Sequence, residues 1–257
     1  MMLALSMLWG LQQVALKATA ADMAPVLLIA VRSGLAAALV GLLMAVRREP
    51  LALRDGTWWP GMVVGTLFAL EYLLVAEGLR HTSAAHIVVF LYTAPLFAAL
   101  GLHRKLPAER LQLLQWAGIV LAFGGITLAF FGRAQATPTT SGDSMLWGDL
   151  LGLLAGASWG ATTVVVRTTT LSSAPATKTL LYQLVVACVM LLVAAMVSGQ
   201  TRVNFTPLVW ANLFFQVVIV SFVSFLVWFW MLRHYLASQL GVFSFMTPLF
   251  GVALGVW

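Results

Sequence analysis

A single cysteine, Cys188, is all the thiol this chain carries, and it lies inside an apolar run. That excludes an intrachain disulfide and any cysteine metal cluster, leaving Cys188 as a small buried residue. Histidine is as sparse: His81, His103 and His234 read as loop residues too dispersed for a metal site, and neither metal nor cofactor is expected. Charge is scarcer still for a chain of this length. Only 9% of 257 residues are charged against 61% apolar, with a mean hydropathy of +0.98, so no soluble domain can hide the apolar surface. A net charge of +6 and a pI near 10.1 suggest nucleic acid when the protein is soluble. Here the charges are scattered between apolar runs, so no nucleic-acid partner is expected and the partner is the lipid bilayer.

What is present is a series of apolar stretches, each of roughly 17 to 24 residues and long enough to cross ~30 Å of hydrocarbon. Nine are predicted, near 1–16, 24–46, 59–79, 84–102, 111–131, 146–166, 178–198, 209–232 and 238–257. The first starts without a basic leader and no signal peptide is evident; the ninth stops at Trp257 with no polar flank, so a chain cut at one or both ends is expected. Lys and Arg divide unevenly between the alternating loops. Arg47, Arg48, Arg54, Arg104, Lys105, Arg110, Arg167, Lys178 and Arg233 share one side; Lys17, Arg80, Arg133 and Arg202 share the other. Positive loops stay in the cytoplasm, which predicts a cytoplasmic N-terminus in a bacterial-type inner membrane. The polar link from Gly132 to Ser144 reads as an external connector.

The sequence also repeats itself. Trp9-Gly10, Val14, Thr19 and Ala24-Pro25 return 150 residues later as Trp159-Gly160, Val164, Thr169 and Ala174-Pro175. Leu79-Arg80-His81 and Pro95-Leu96-Phe97 return at an offset of 153 as Leu232-Arg233-His234 and Pro248-Leu249-Phe250. The unit is five helices, and an odd number forces the second copy to insert upside down. The charges agree, because loop 47–58 carries three Arg where its counterpart, 198–208, carries only Arg202. The predicted fold is all-α and integral to the membrane: a first repeat over 1–131, an external linker over 132–145, and a second repeat over 146–257 without its tenth helix.

Met7-Leu8-Trp9-Gly10, Ala94-Pro95-Leu96-Phe97, Gly148-Asp149-Leu150-Leu151 and Thr247-Pro248-Leu249-Phe250 give the chain a resemblance to the ten-helix EamA-type transporters of the drug/metabolite transporter superfamily, including the YddG-like aromatic amino acid exporters. The motifs are short but the resemblance spans the chain. It implies two inverted five-helix repeats around a central cavity, export from the cytoplasm and alternating access, without fixing the substrate.

Ionisable groups inside membrane helices cost about 2.5–3.5 kcal/mol each at a helix centre, so they mark candidate sites. Arg32, Glu71 and Tyr92 each lie about eight residues from the outer end of their helices, a common depth at 1.5 Å per residue. An Arg32 to Glu71 pair hydrogen-bonded to Tyr92 is therefore expected, either at the substrate or as a static tie between helices. Through the repeat Gln13 maps to Thr163, Glu71 to Ser224, Tyr92 to Phe245 and Arg32 to Tyr182, so charge sits in one half only. Such a site suits a substrate with distinct polar and apolar ends, walled by Trp9, Trp159 and Trp228. Pro95 and Pro248 each remove a backbone hydrogen bond at matching depth and are candidate hinges or static kinks. Gly148, Gly152, Gly156 and Gly160 recur every fourth residue and predict a close helix contact. Asp149 is read as a first-turn anion at a helix N-terminus, and Glu77 and His86 as wetted residues near outer helix ends.

A transporter of small metabolites, such as aromatic or other neutral amino acids, accounts for these features. A proton-coupled efflux antiporter for lipophilic cations is the alternative, with Glu71 as its only deep carboxylate. A membrane enzyme would gather His, Asp, Glu or Ser in loops at one interface, and the longest link offers only Asp143 and Ser144, so catalysis is not expected. Nothing in the sequence sets an oligomeric state.

Overall fold

Inside hydrocarbon every backbone N–H and C=O must find a partner within the protein, so apolar runs of this length fold as helices. The computed structural model describes residues 1–50, 55–131 and 142–255; Arg54, Arg133 and most of the 132–145 linker lie outside them. The helices are α1 (Met2–Ala18), α2 (Pro25–Val46), α3 (Trp58–Gly78), α4 (Ala84–Leu91), α5 (Ala94–Lys105), α6 (Leu113–Phe131), α7 (Gly142–Thr168), α8 (Ala176–Val197), α9 (Pro207–Phe214), α10 (Phe225–His234), α11 (Ala237–Ser244) and α12 (Met246–Gly255). Among the described residues seven helical stretches are long and apolar enough to cross a membrane. The two further predicted runs are the 17-residue α1 and the 19-residue α6. The chain is a multi-pass membrane protein, and no β-strand longer than the single bridge Met23 to Val203 occurs among the described residues.

Several predicted boundaries move. α7 begins at Gly142, four residues before the predicted start, which makes the linker shorter than expected. His103 and His234 sit in the last turns of α5 and α10, because those helices run past their apolar segments. The fourth and ninth runs are each broken in two. A proline ring clashes with the carbonyl four residues earlier. For Pro95 that residue is Leu91, the last of α4, and for Pro248 it is Ser244, the last of α11. The two breaks therefore have one cause. The eighth run departs from its counterpart α3 differently, by passing through ten residues of π-helix, Phe215–Ser224, between α9 and α10.

The halves interlock as an inverted pair. α4 and α5 pack along α7, and in exchange α11 and α12 pack along α1. Gly160 lets α7 approach the Ala94 carbonyl, and Gly10 lets α1 approach the carbonyl of Thr247, the residue 153 positions after Ala94. The loops obey the same exchange. At the Arg-rich end Lys178 Nζ lies 2.5 Å from Asp55 Oδ2 and Thr170 Oγ1 donates to the Gly56 carbonyl. At the opposite end Asn204 donates through both its backbone N–H and its side chain to Asp22.

Lys178 and Thr57, which also donates to Asp55, hold its carboxyl well below the usual carboxylate range, at about 2. A carboxyl whose pKa is lower folded than unfolded contributes stability above its unfolded pKa and loses it as pH falls through the folded one. The protein is thus expected to lose stability between about pH 3.8 and about 2 in a way that Asp55→Asn does not. Detergent-solubilised thermal unfolding across that window checks it; identical pH profiles would remove Asp55 from the account. Asp55 is half-exposed, so salt should blunt the difference.

Candidate functional site

Six elements converge on a cavity of about 100 Å³ between the two halves. Trp9, Gln12 and Gln13 reach it from α1; Phe68, Glu71 and Tyr72 from α3; Leu91 and Tyr92 from the end of α4. The second half supplies Trp159, Thr162, Thr163 and Val166 from α7, Gln183 from α8, and Phe225, Trp228, Phe229 and Leu232 from α10. The sets from α1 and α3 follow i, i+3 and i+4 spacing and those from α7 and α10 continue to i+7, the face of one helix turned inward. The aromatic walls are braced edge to face, Trp9 on Trp228 and Tyr92 on Trp159, both at 5.5 Å between ring centres.

Of the residues expected at the site, Trp9, Gln13, Glu71, Tyr92, Trp159, Thr163 and Trp228 line this cavity. Ser224 and Phe245 do not. Ser224 is fully buried behind the wall, where it accepts the Trp9 indole N–H at 3.0 Å, and Phe245 packs in the apolar cluster behind Tyr92 and Trp159.

The expected Arg32 to Glu71 pair does not form. Arg32 is completely buried, and its guanidinium donates to Gln216 Oε1 at 2.5 Å and to the Tyr72 hydroxyl at 2.8 Å. Its partner is Tyr72 rather than Tyr92. Depth along a helix does not fix direction around it, and Tyr72, one residue beyond Glu71, turns its ring under the guanidinium at 5.5 Å. Gln216 belongs to the π-helical stretch and also donates weakly to the Gln12 carbonyl at 3.4 Å. Glu71 consequently has no hydrogen bond or ion pair with any described residue, and no Lys or Arg lines the cavity around it.

Two peripheral assignments also change. Asp149 stands in the second turn of α7 rather than the first, where it accepts from Thr82 Oγ1 at 2.7 Å and meets His86 Nδ1 at 2.9 Å. His86 is accordingly buried rather than wetted, while Glu77 is half-exposed and bonded to Arg80. No group of three or more His, Cys, Asp or Glu gathers to hold a metal among the described residues.

Sequence reasoning missed Gln12, Phe68, Tyr72, Thr162, Gln183 and Phe225. The signal for most of them was available. Phe68 and Tyr72 bracket Glu71 at helical spacing, and Gln12 and Thr162 lie three residues from Trp9 and Trp159. Gln183 has no such marker.

The sequence profile of the EamA-like transporter family matches residues 1–131 and 146–257. An uncharacterized transporter of Bacillus subtilis (strain 168), YoaV, is 25% identical over 256 residues, covering 98% of this chain and 85% of its own. An uncharacterized transporter of Archaeoglobus fulgidus is 26% identical over 206 residues, covering 79% and 69%. A solved crystal structure superposes with a TM-score of 0.80 at 19% identity over 99% of this chain and 86% of its own, a likeness of fold.

Proposed function

The chain belongs to the EamA-like transporter family, and from that premise we propose that its cavity carries a small metabolite with a cationic nitrogen and an apolar body across the membrane by alternating access. The observation that carries this reading is Glu71, a carboxylate at the cavity wall that has no hydrogen bond or ion pair with any described residue, set among aromatic faces. A carboxylate so placed needs a cation or a proton. Trp9, Trp159 and Trp228 offer faces to a cation or to an apolar side chain. Gln12, Gln13, Thr162, Thr163 and Gln183 add hydrogen-bonding groups that a bare lipophilic cation does not need, which favours a substrate with a second polar group, such as an aromatic or other neutral amino acid. The family resemblance implies export, with the Arg-rich loops in the cytoplasm of a bacterial-type inner membrane. Transport rather than catalysis also agrees with the names of both relatives.

Counterflow in proteoliposomes with labelled amino acids, lipophilic cations and sugars tests the proposal. Saturable exchange of large neutral amino acids is the expected result. Exchange confined to lipophilic cations, driven by a proton gradient, replaces it with multidrug antiport through the same carboxylate. Exchange of sugars alone would leave Glu71 without the role given to it.

A further inference from the structure

Directly beyond the cavity, at the Arg-rich end, lies a buried carboxylate that the substrate reading does not use. Glu109 closes the short turn Pro107–Glu109 after α5 and is 1% exposed. Its Oε1 accepts from Arg167 Nη2 at 2.8 Å and from the Ala237 backbone N–H at 2.9 Å. Its Oε2 accepts from the Ser238 hydroxyl at 2.9 Å and the Ser238 N–H at 3.3 Å. Arg167 in turn donates to the Leu232 carbonyl. Four donors thus converge on one side chain of the first half, all of them from the second half.

The position of this cluster matters because two of its members adjoin the cavity wall. Leu232 lines the cavity itself, and Arg167 follows Val166, which lines it. The cluster thus lies next to the cavity wall at that end. It also repairs a defect. Leu236, at the N-cap of α11, supplies no side-chain cap, so the first N–H groups of that helix depend on Glu109 from the other half.

The inverted repeat places related elements at the opposite end. Arg167 corresponds to Lys17, and the Leu232–Ser238 segment corresponds to 79–85. At that opposite end Lys17 is exposed and its side chain bonds to no described residue. The start of α4 is capped locally by Ser83, which accepts from the His86 N–H, while Thr82 and His86 meet Asp149 of α7 across the halves. Both ends are tied across the halves, and at the Arg-rich end the tie is one buried carboxylate that also serves the first N–H groups of α11.

We propose that Glu109 is the bolt of a gate: its bonds to Arg167 and to the start of α11 seal the cavity at the Arg-rich end, and their release opens it there. This rests on the transport reading above. The structure is the state closed at the Arg-rich end, and Glu109 is a positioning residue that never meets the substrate.

The test needs no substrate. In a Cys188→Ala background, Thr163→Cys places the only thiol in the cavity, and a membrane-impermeant maleimide is applied to right-side-out and inside-out vesicles. The thiol is expected to react mainly from the face opposite the Arg-rich end. Glu109→Ala should raise its rate from the Arg-rich face about tenfold or more, as four bonds to a charged group are lost, while Lys17→Ala leaves it unchanged. Glu109→Gln keeps an acceptor for the α11 amides but loses the ion pair, and should give a smaller rise; it carries the test if the alanine variant does not insert. A thiol that still reacts from the opposite face but shows no rise from the Arg-rich face in either Glu109 variant overturns the gate alone. A thiol that reacts from neither face in any variant shows that the cavity is no aqueous path, which sinks the transport reading and the gate with it.

Discussion

Gly160→Val and Gly10→Val are each expected to cost at least the upper part of the ~1–3 kcal/mol usual for overpacking, enough to leave little folded protein in the membrane. The reason is what the new carbon would meet. At Gly160 a Cβ would stand 2.8 Å from the Ala94 carbonyl oxygen and 2.6 Å from Phe97 Cβ; at Gly10 it would stand 2.8 Å from the Gly251 nitrogen and 2.9 Å from the Thr247 oxygen. Backbone atoms cannot rotate away, so α7 and α1 would have to separate from the broken helices they hold. Two contrasts bound the effect. A Cβ at Gly34 meets the Cys188 side chain, which can move, and one at Gly118 meets nothing within 4 Å. Monodispersity and thermal unfolding in detergent should therefore collapse for the first pair, fall modestly for Gly34→Ala and hold for Gly118→Val. Equal stability of all four would mean that the close approach is not what holds the halves together.

Glu71→Gln is expected to weaken half-saturation for amine-bearing substrates by about 10- to 150-fold, the value of a hydrogen bond to a charged group at about 1.5–3 kcal/mol. Thermal stability without substrate should stay level or rise, since the carboxylate makes no hydrogen bond or ion pair with a described residue that the variant can lose. That split separates an anchor from a structural residue, which would lose stability and transport together. A variant that keeps its affinity but loses the response of transport to pH would make Glu71 a proton carrier instead. Unchanged affinity and unchanged pH response would remove it from the mechanism altogether.

The repeat was the most readable feature of the sequence, because it was written in residues whose chemistry is positional. A Trp-Gly pair, a proline four residues after a helix end and a reversed Arg bias each specify geometry in the chain itself. The cavity face was half readable: the aromatics and Glu71 stood out, and helical spacing from them reaches Phe68, Tyr72, Gln12 and Thr162. What stayed hidden was azimuth and length. Equal depth suggested Arg32 with Glu71, yet the π-helical stretch around Gln216 set the partner, and nothing in Phe215–Ser224 marks it as other than an apolar helix. Helix ends that extend past the apolar segment likewise moved Asp149 inward and paired it with His86.

Arg32 has a consequence for how the chain is made. Its two acceptors lie 40 and 184 residues downstream, at Tyr72 and Gln216. At a synthesis rate of ~5–20 residues per second, Tyr72 emerges within about 2–8 s of Arg32, and Gln216 only after about 10–40 s. Of its two hydrogen-bond acceptors the cation therefore has only the Tyr72 phenol at first, and the nascent first half must shelter it until Gln216 has left the ribosome.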